Sequence, residues 1–138
     1  MRYKFLEHRA DIKFKAFGSS MEKAFENSAL ALAEVMTKKT KIKPIIKKEI
    51  KVSGKDREAL LYNFLEEFLF LYDSKGFILS KIHKIKVKEN EKFELEAVIV
   101  GDDAKNYEPS QDVKAITYHE MFVRKERGGF IIQVILDV

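Results

Sequence analysis

The sequence predicts an α+β fold: a single domain in which two α-helices pack on one face of a mainly antiparallel β-sheet. Three observations carry this. Two long stretches repeat apolar residues at helical spacing, around residues 20–36 and again around 60–72. The other apolar residues fall in roughly seven short alternating runs, as half-buried strands require. The last four runs are joined by short turns into two hairpins, a connection that only antiparallel strands permit. The chain has 138 residues, which suits one core. No composition break, low-complexity tract or repeat at solenoid spacing divides it, so residues 1–138 form one domain.

Tyr3 to Leu6 reads as a short strand. After the polar break Glu7-His8-Arg9-Ala10-Asp11, a second strand follows, in which Ile12, Phe14 and Ala16 alternate with Lys13, Lys15 and Phe17 up to Gly18. Ser19 to Glu22 has the S-x-x-E form of a capping box, and Ala24, Phe25, Ser28, Ala29, Leu32 and Met36 then share one face of a helix over about Ser20–Met36. Thr37 to Lys43 is a basic loop, and Ile46, Lys48, Ile50 and Val52 mark an exposed strand. Ser53-Gly54-Lys55-Asp56 turns into the second helix, whose stripe Leu60, Leu61, Phe64, Leu65, Phe68, Leu69 and Tyr72 is wide enough for deep burial. Phe77–Val87 and Phe93–Val100 form a hairpin around Glu89-Asn90-Glu91. A polar connection, Gly101 to Gln111, leads to a second hairpin, Val113–Arg124 and Phe130–Leu136, turned by Gly128-Gly129.

Composition excludes several classes of function. There is no cysteine, which removes disulfides, zinc–thiolate sites and cysteine nucleophiles together. No apolar run reaches the roughly 18 residues of a membrane helix. The charged start Met1-Arg2-Tyr3-Lys4 is unlike a signal peptide, so a soluble, cytoplasmic protein is expected. The net charge is +4, with Lys and Glu both abundant. Charge alone favours an ion-paired surface of the heat-adapted kind over a nucleic-acid patch, and no basic run interleaved with aromatics is present. Dinucleotide, P-loop, H-E-x-x-H and G-x-S-x-G motifs are all absent.

The residues that could carry chemistry are few. The histidines are His8, His83 and His119; His83 lies in a Lys-rich alternating strand and reads as a surface residue. Any metal must be held by carboxylates, backbone oxygens or histidine. The apolar strand Phe130–Leu136 runs into Asp137-Val138, where the sequence stops, so the α-carboxylate of Val138 would stand beside the Asp137 side chain. With Asp11 as a third group, these oxygens would make a hard-cation site. The plain alternative is a solvated carboxylate near a chain end. For Lys114, next to the run Ala115-Ile116-Thr117-Tyr118-His119, the plain alternative is a solvent-facing strand lysine.

A set of ordered motifs then resembles the archease family over essentially the whole chain. His8-Arg9-Ala10-Asp11 is similar to the family's H-x-A-D, Gly18-Ser19-Ser20-Met21-Glu22-Lys23-Ala24-Phe25 to its second block, and Leu60–Leu69 to its long helix, with Phe64 where Trp is common. Lys114-Ala115-Ile116-Thr117-Tyr118-His119 is similar to K-A-[VI]-T-Y-H, and Ile135-Leu136-Asp137-Val138 to the terminal I-L-D-[IV]. The resemblance implies an accessory factor, not itself an enzyme. Such a factor activates a GTP-dependent RNA-splicing ligase (RtcB-type), promoting guanylylation of the ligase's active-site histidine and multiple-turnover tRNA ligation. RNA would be engaged indirectly, through the ligase. The resemblance also implies a divalent cation, Ca2+ in structures and Mg2+ or Mn2+ as cellular alternatives, on Asp11, Asp137 and Val138. It assigns Lys114 to ligase activation, and His8 and His119 are left between two roles, orienting a neighbour by a hydrogen bond or simply packing. The alternatives are a chaperone or RNA-binding modulator with no metal-dependent role, and a metal-dependent phosphohydrolase, for which no nucleophile or positioned base is evident.

Overall fold

The structure is a computed structural model that describes residues 1–6, 11–108 and 111–138. Seven strands and two α-helices follow in the order β1 (Tyr3–Leu6), β2 (Asp11–Gly18), α1 (Met21–Thr37), β3 (Ile46–Gly54), α2 (Arg57–Lys75), β4 (Phe77–Glu89), β5 (Phe93–Asp103), β6 (Ala115–Glu126) and β7 (Gly129–Asp137). Every strand pairing is antiparallel, as expected. The strands divide between two sheets, however, one of four strands in the order β1-β2-β7-β6 and one of three in the order β3-β5-β4. Both hairpins stay intact, and each takes in one strand from the first half of the chain. The strand before α1 joins the second hairpin, and the strand before α2 joins the first.

Each helix touches both sheets, so the two inner faces share one core. Phe14, Ala16, Ile132, Val134 and Leu136 of the four-stranded sheet and Ile50, Leu95, Ala97 and Ile99 of the three-stranded sheet line it. Phe25 of α1 and Phe64 of α2 meet at its centre, with ring centroids 5.9 Å apart. The alternation in β2 and β7 turns Asp11, Lys13 and Lys15, with Gln133, Ile135 and Asp137, to the face away from the helices.

The two helices begin alike. Ser20 is the N-cap of α1, its Oγ accepting the Lys23 N–H at 3.1 Å, and Asp56 is the N-cap of α2, its Oδ1 accepting the Ala59 N–H at 2.7 Å. The expected capping box from Ser19 to Glu22 therefore does not form: the cap is one residue on, at Ser20, and Lys23 three positions later has no carboxylate to return the bond. Glu22 reaches across to β4 instead, where its Oε2 accepts the Val87 N–H at 3.2 Å. Glu58 does the same on α2, accepting the Val123 N–H of β6 at 3.4 Å. Asn27 donates to the Phe17 carbonyl and Asn63 to the Ser53 carbonyl, both at 2.7 Å.

These parallels define a two-fold internal repeat. Gly18, Ser20, Glu22 and Asn27 recur 36 residues later as Gly54, Asp56, Glu58 and Asn63, with the same local bonds. The part that recurs is a strand and the helix after it, β2–α1 and β3–α2; both hairpins follow α2, and each sheet joins one of the two strands to one hairpin. Both glycines are required by close approach. A Cβ on Gly18 would lie 2.2 Å from the Ala24 nitrogen, and one on Gly54 would lie 2.4 Å from the Leu60 nitrogen.

The expected loop from Gly101 is still strand as far as Asp103 and then forms a short 3₁₀ turn, Ala104–Asn106. Asp102, at 4% exposure, anchors it. Its carboxylate accepts from the Tyr107 hydroxyl and the Asp103 N–H at 2.7 Å each, and from the Asn106 side chain at 3.3 Å. The Tyr107 hydroxyl, followed by the Asp103 N–H, holds the Asp102 carboxyl below the usual carboxylate range. Tyr107 in turn accepts the Lys43 N–H at 2.9 Å, which ties the basic loop to this end of the three-stranded sheet.

Candidate functional site

Asp11 opens β2 and Asp137 closes β7, and the two are direct register partners. Directly opposed residues in an antiparallel pair hold their Cβ atoms about 4.5–5.5 Å apart on one face of the sheet. On the other side of Asp137 stands Ala115, the first residue of β6. Lys114 immediately precedes it and donates its main-chain N–H to the Asp137 carbonyl at 2.8 Å. Val138 follows Asp137, and its side chain packs against the core. Four of the residues singled out in the sequence, Asp11, Lys114, Asp137 and Val138, thus meet at one end of the four-stranded sheet.

The two histidines fare differently. His8 lies outside the described residues. His119 is exposed on β6, with its Nε2 3.3 Å from the Glu120 carboxylate, and it is not gathered with the aspartates. Among the described residues, no three His, Asp or Glu side chains converge as a cation cage would. A hard cation at this end would therefore have two side-chain carboxylates and would need main-chain or terminal oxygen to complete its shell. The donor chemistry fits such an ion: both side chains are carboxylates, set side by side with a lysine at the next position on the neighbouring strand.

β6 carries a feature that the sequence reading passed over. Register with β7 runs Thr117↔Ile135 and resumes at Phe122↔Gln133, so Tyr118–Met121 bulge out opposite Val134 alone. Glu120 sits at the bulge with φ 54°, a left-handed conformation that costs a non-glycine residue on the order of 1 kcal/mol or more. Three contacts hold it there. Lys13 Nζ lies 3.0 Å from Glu120 Oε1, and Gln133 Nε2 donates to the Glu120 carbonyl at 2.9 Å. The Tyr118 ring stacks on Tyr62 of α2 at 4.3 Å with an interplanar angle of 4°.

Lys13, two residues from Asp11 on the same face, ties β2 to the bulge through Glu120, which does not join the aspartates as a third ligand among the described residues. The available signal was the loss of alternation at Tyr118-His119-Glu120-Met121, which spacing alone does not resolve. Both tyrosines of the stack are held protonated. Tyr62 is pushed up by its hydrogen bond to Glu66, and Tyr118 by burial and by the charges of Asp56 and Glu66.

Residues 3–138 match the model of the Archease protein family. A protein archease of Pyrococcus abyssi is 38% identical over 99% of each chain. The solution structure of Methanobacterium thermoautotrophicum protein 1598 has TM-score 0.85 and 33% identity, covering 99% of this chain and 98% of that one. The crystal structure of a Thermotoga maritima protein described as an archease and possible chaperone has TM-score 0.63 and 23% identity, covering 100% and 98% of the two chains, and shares the fold. With a family model spanning nearly its full length and relatives above 30% identity end to end, the chain belongs to the archease family.

Proposed function

We propose that this archease activates a GTP-dependent RNA-splicing ligase without turning over a substrate of its own, and that the Asp11–Asp137 end of the four-stranded sheet is the working site. The observation that supports it is the direct register pairing of Asp11 with Asp137. Side-by-side carboxylates are the kind of oxygen donor that hard divalent cations favour. In this reading Asp11, Asp137 and the Val138 α-carboxylate hold a divalent ion, with Ca2+ and Mg2+ both compatible with an all-oxygen donor set. Such an ion would supply charge neutralisation to phosphate oxygens during nucleotidyl transfer.

The chain's own residues do the positioning. The β2–β7 ladder fixes the two carboxylates, and the Lys114 N–H fixes the Asp137 main chain. The Lys114 side chain presents a cation to the ligase or its nucleotide. Lys13 keeps Glu120 engaged, which limits the net negative charge at this face.

The test is guanylylation and multiple-turnover RNA joining by the ligase of the same organism, with and without this protein. Wild type should stimulate both reactions. Asp11→Asn, Asp137→Asn and Lys114→Ala should each cut stimulation at least tenfold while remaining folded, and a few residues added after Val138 should do the same. Full stimulation by folded Asp11→Asn and Asp137→Asn variants would sink the metal role.

A second reading, a chaperone for a client protein, draws support from Tyr118 and Phe70, which are 54% and 59% exposed. It expects aggregation of the client to be suppressed equally well by the aspartate variants.

A further inference from the structure

On the outer face of the three-stranded sheet, Glu94, Glu96, Val98 and Val100 of β5 are each flanked by a register partner on either side, while buried Asp102 beyond them pairs with Ile78 alone. Val100 lies between Lys47 and Lys81, Val98 between Glu49 and Lys84, Glu96 between Lys51 and Lys86, and Glu94 between Ser53 and Lys88. The face therefore carries six lysines against three glutamates. Only Lys51 has a carboxylate partner within the face, Glu96 at 3.6 Å, and the other five lysines form no ion pair among the described residues.

The loop before β3 extends this surface. Lys38, Lys39, Lys41 and Lys43 are all exposed, with no acidic residue between them. The loop is moored at the Lys47–Lys81 end of the sheet by Ser80 Oγ donating to the Ile42 carbonyl at 2.7 Å and by the Ile45 N–H donating to Gly101 at 2.8 Å. Face and loop together hold ten lysines and three glutamates, a net +7, whereas the whole chain is +4. The rest of the molecule is thus net negative. Evenly mixed ion pairing of the heat-adapted kind does not produce that segregation.

From this arrangement we infer that the outer face of β3, β5 and β4, with the adjoining loop, binds the phosphate backbone of a folded RNA. The composition selects among polyanions. The cations are all lysines, which are depleted at protein–protein interfaces, where arginine is enriched. A membrane surface site needs aromatic or leucine side chains to insert. The outward residues of these strands supply none, the apolar ones being Val98 and Val100. The lack of aromatics also removes the stacking platform that grips single-stranded bases. What remains is rows of point charges spaced about 7 Å along each strand, suited to the backbone of a duplex and blind to its sequence. The choice of RNA over DNA rests on the function proposed above; the phosphate chemistry does not. The face belongs to the three-stranded sheet and the Asp11–Asp137 pair to the four-stranded one, so the two sites share no residue.

The experiment uses the full chain alone, without ligase, and a fluorescently labelled RNA hairpin read by anisotropy. Affinity should fall steeply with salt. The log–log slope is about −0.9 per phosphate neutralised, so four engaged lysines give a slope on the order of −3 to −4. Charge reversal at Lys81, Lys84, Lys86 and Lys88 to Glu should weaken binding at least tenfold at low salt and flatten the slope. The four Lys→Gln changes serve as the variant least able to disturb folding and should act in the same direction. Asp11→Asn and Asp137→Asn should leave binding unchanged, which separates this inference from the ligase reading. RNA binding unaffected by the Gln and Glu sets overturns the proposal. So does tighter binding to duplex DNA than to RNA, or binding to phosphatidylserine vesicles with none to RNA.

Discussion

Tyr3 shows how one side chain couples the smallest edge strand to the helical layer. Its hydroxyl donates to Glu34 of α1 at 2.7 Å, and burial together with that carboxylate pushes its pKa up to about 12. A raised folded-state pKa means that the contribution of the bond is complete below pH 10, the ordinary tyrosine value, and is lost as pH climbs through about 12. Tyr3→Phe should therefore destabilise the protein by about 1.5–3 kcal/mol at neutral pH, the usual worth of a hydrogen bond to a charged acceptor. The gap between wild type and variant should close above pH 10. Denaturant melts at several pH values measure this directly, and a gap independent of pH would refute the assignment. The residue scale is also where the sequence was least legible. Asp11 and Asp137 are 126 positions apart, and nothing in their neighbourhoods says that they face each other; their residue types suggested a shared cation site, and the family motifs reinforced it, but neither gave the register. Glu120 was invisible, because its role depends on a left-handed bulge that Gln133 and Lys13 hold from another strand.

At the scale of elements, periodicity was sufficient for both helices and all seven strands, since each buries one face and so writes its period into the chain. The division into two sheets was not legible. Which strand pairs with which is decided by the core between them, and β2 and β3 look alike from sequence as partners for either hairpin. The internal repeat escaped for a related reason. Its polar frame is kept, but the buried positions diverge, with Ser28 and Ala29 in α1 standing where α2 has Phe64 and Leu65. That frame makes a sharp prediction. Gly18→Ala and Gly54→Ala each drive a Cβ into helix backbone, which cannot yield as a side chain tip would, so each should cost about 3 kcal/mol or more. Glu22→Ala, which strands the Val87 N–H, should cost about 1–3 kcal/mol, and Glu58→Ala less, since its bond is longer at 3.4 Å against 3.2 Å. Equilibrium urea unfolding ranks the four, and a neutral Gly18→Ala would mean that the strand–helix approach is looser than the structure has it.

For the molecule as a whole, the consequence of one core between two sheets is that a ligand at one edge stabilises everything. A cation on Asp11 and Asp137 binds the folded chain alone, and at about 100 times its dissociation constant it adds roughly 2.7 kcal/mol to stability. For a chain of this length that raises the melting midpoint by on the order of 10 °C. Because both helices contact both sheets, the added protection should extend to the slowest-exchanging amides of β3 and β5, which are far from the ion and joined to it only through the core. Asp11→Asn should abolish the response. Hydrogen exchange with and without Ca2+ decides the matter. Protection confined to β2, β6 and β7 would mean that the two sheets open independently. Protection reaching β3 and β5 would mean that the core shared by both helices has fused the two sheets into one cooperative unit, carrying its aspartate end and its lysine face on a common frame.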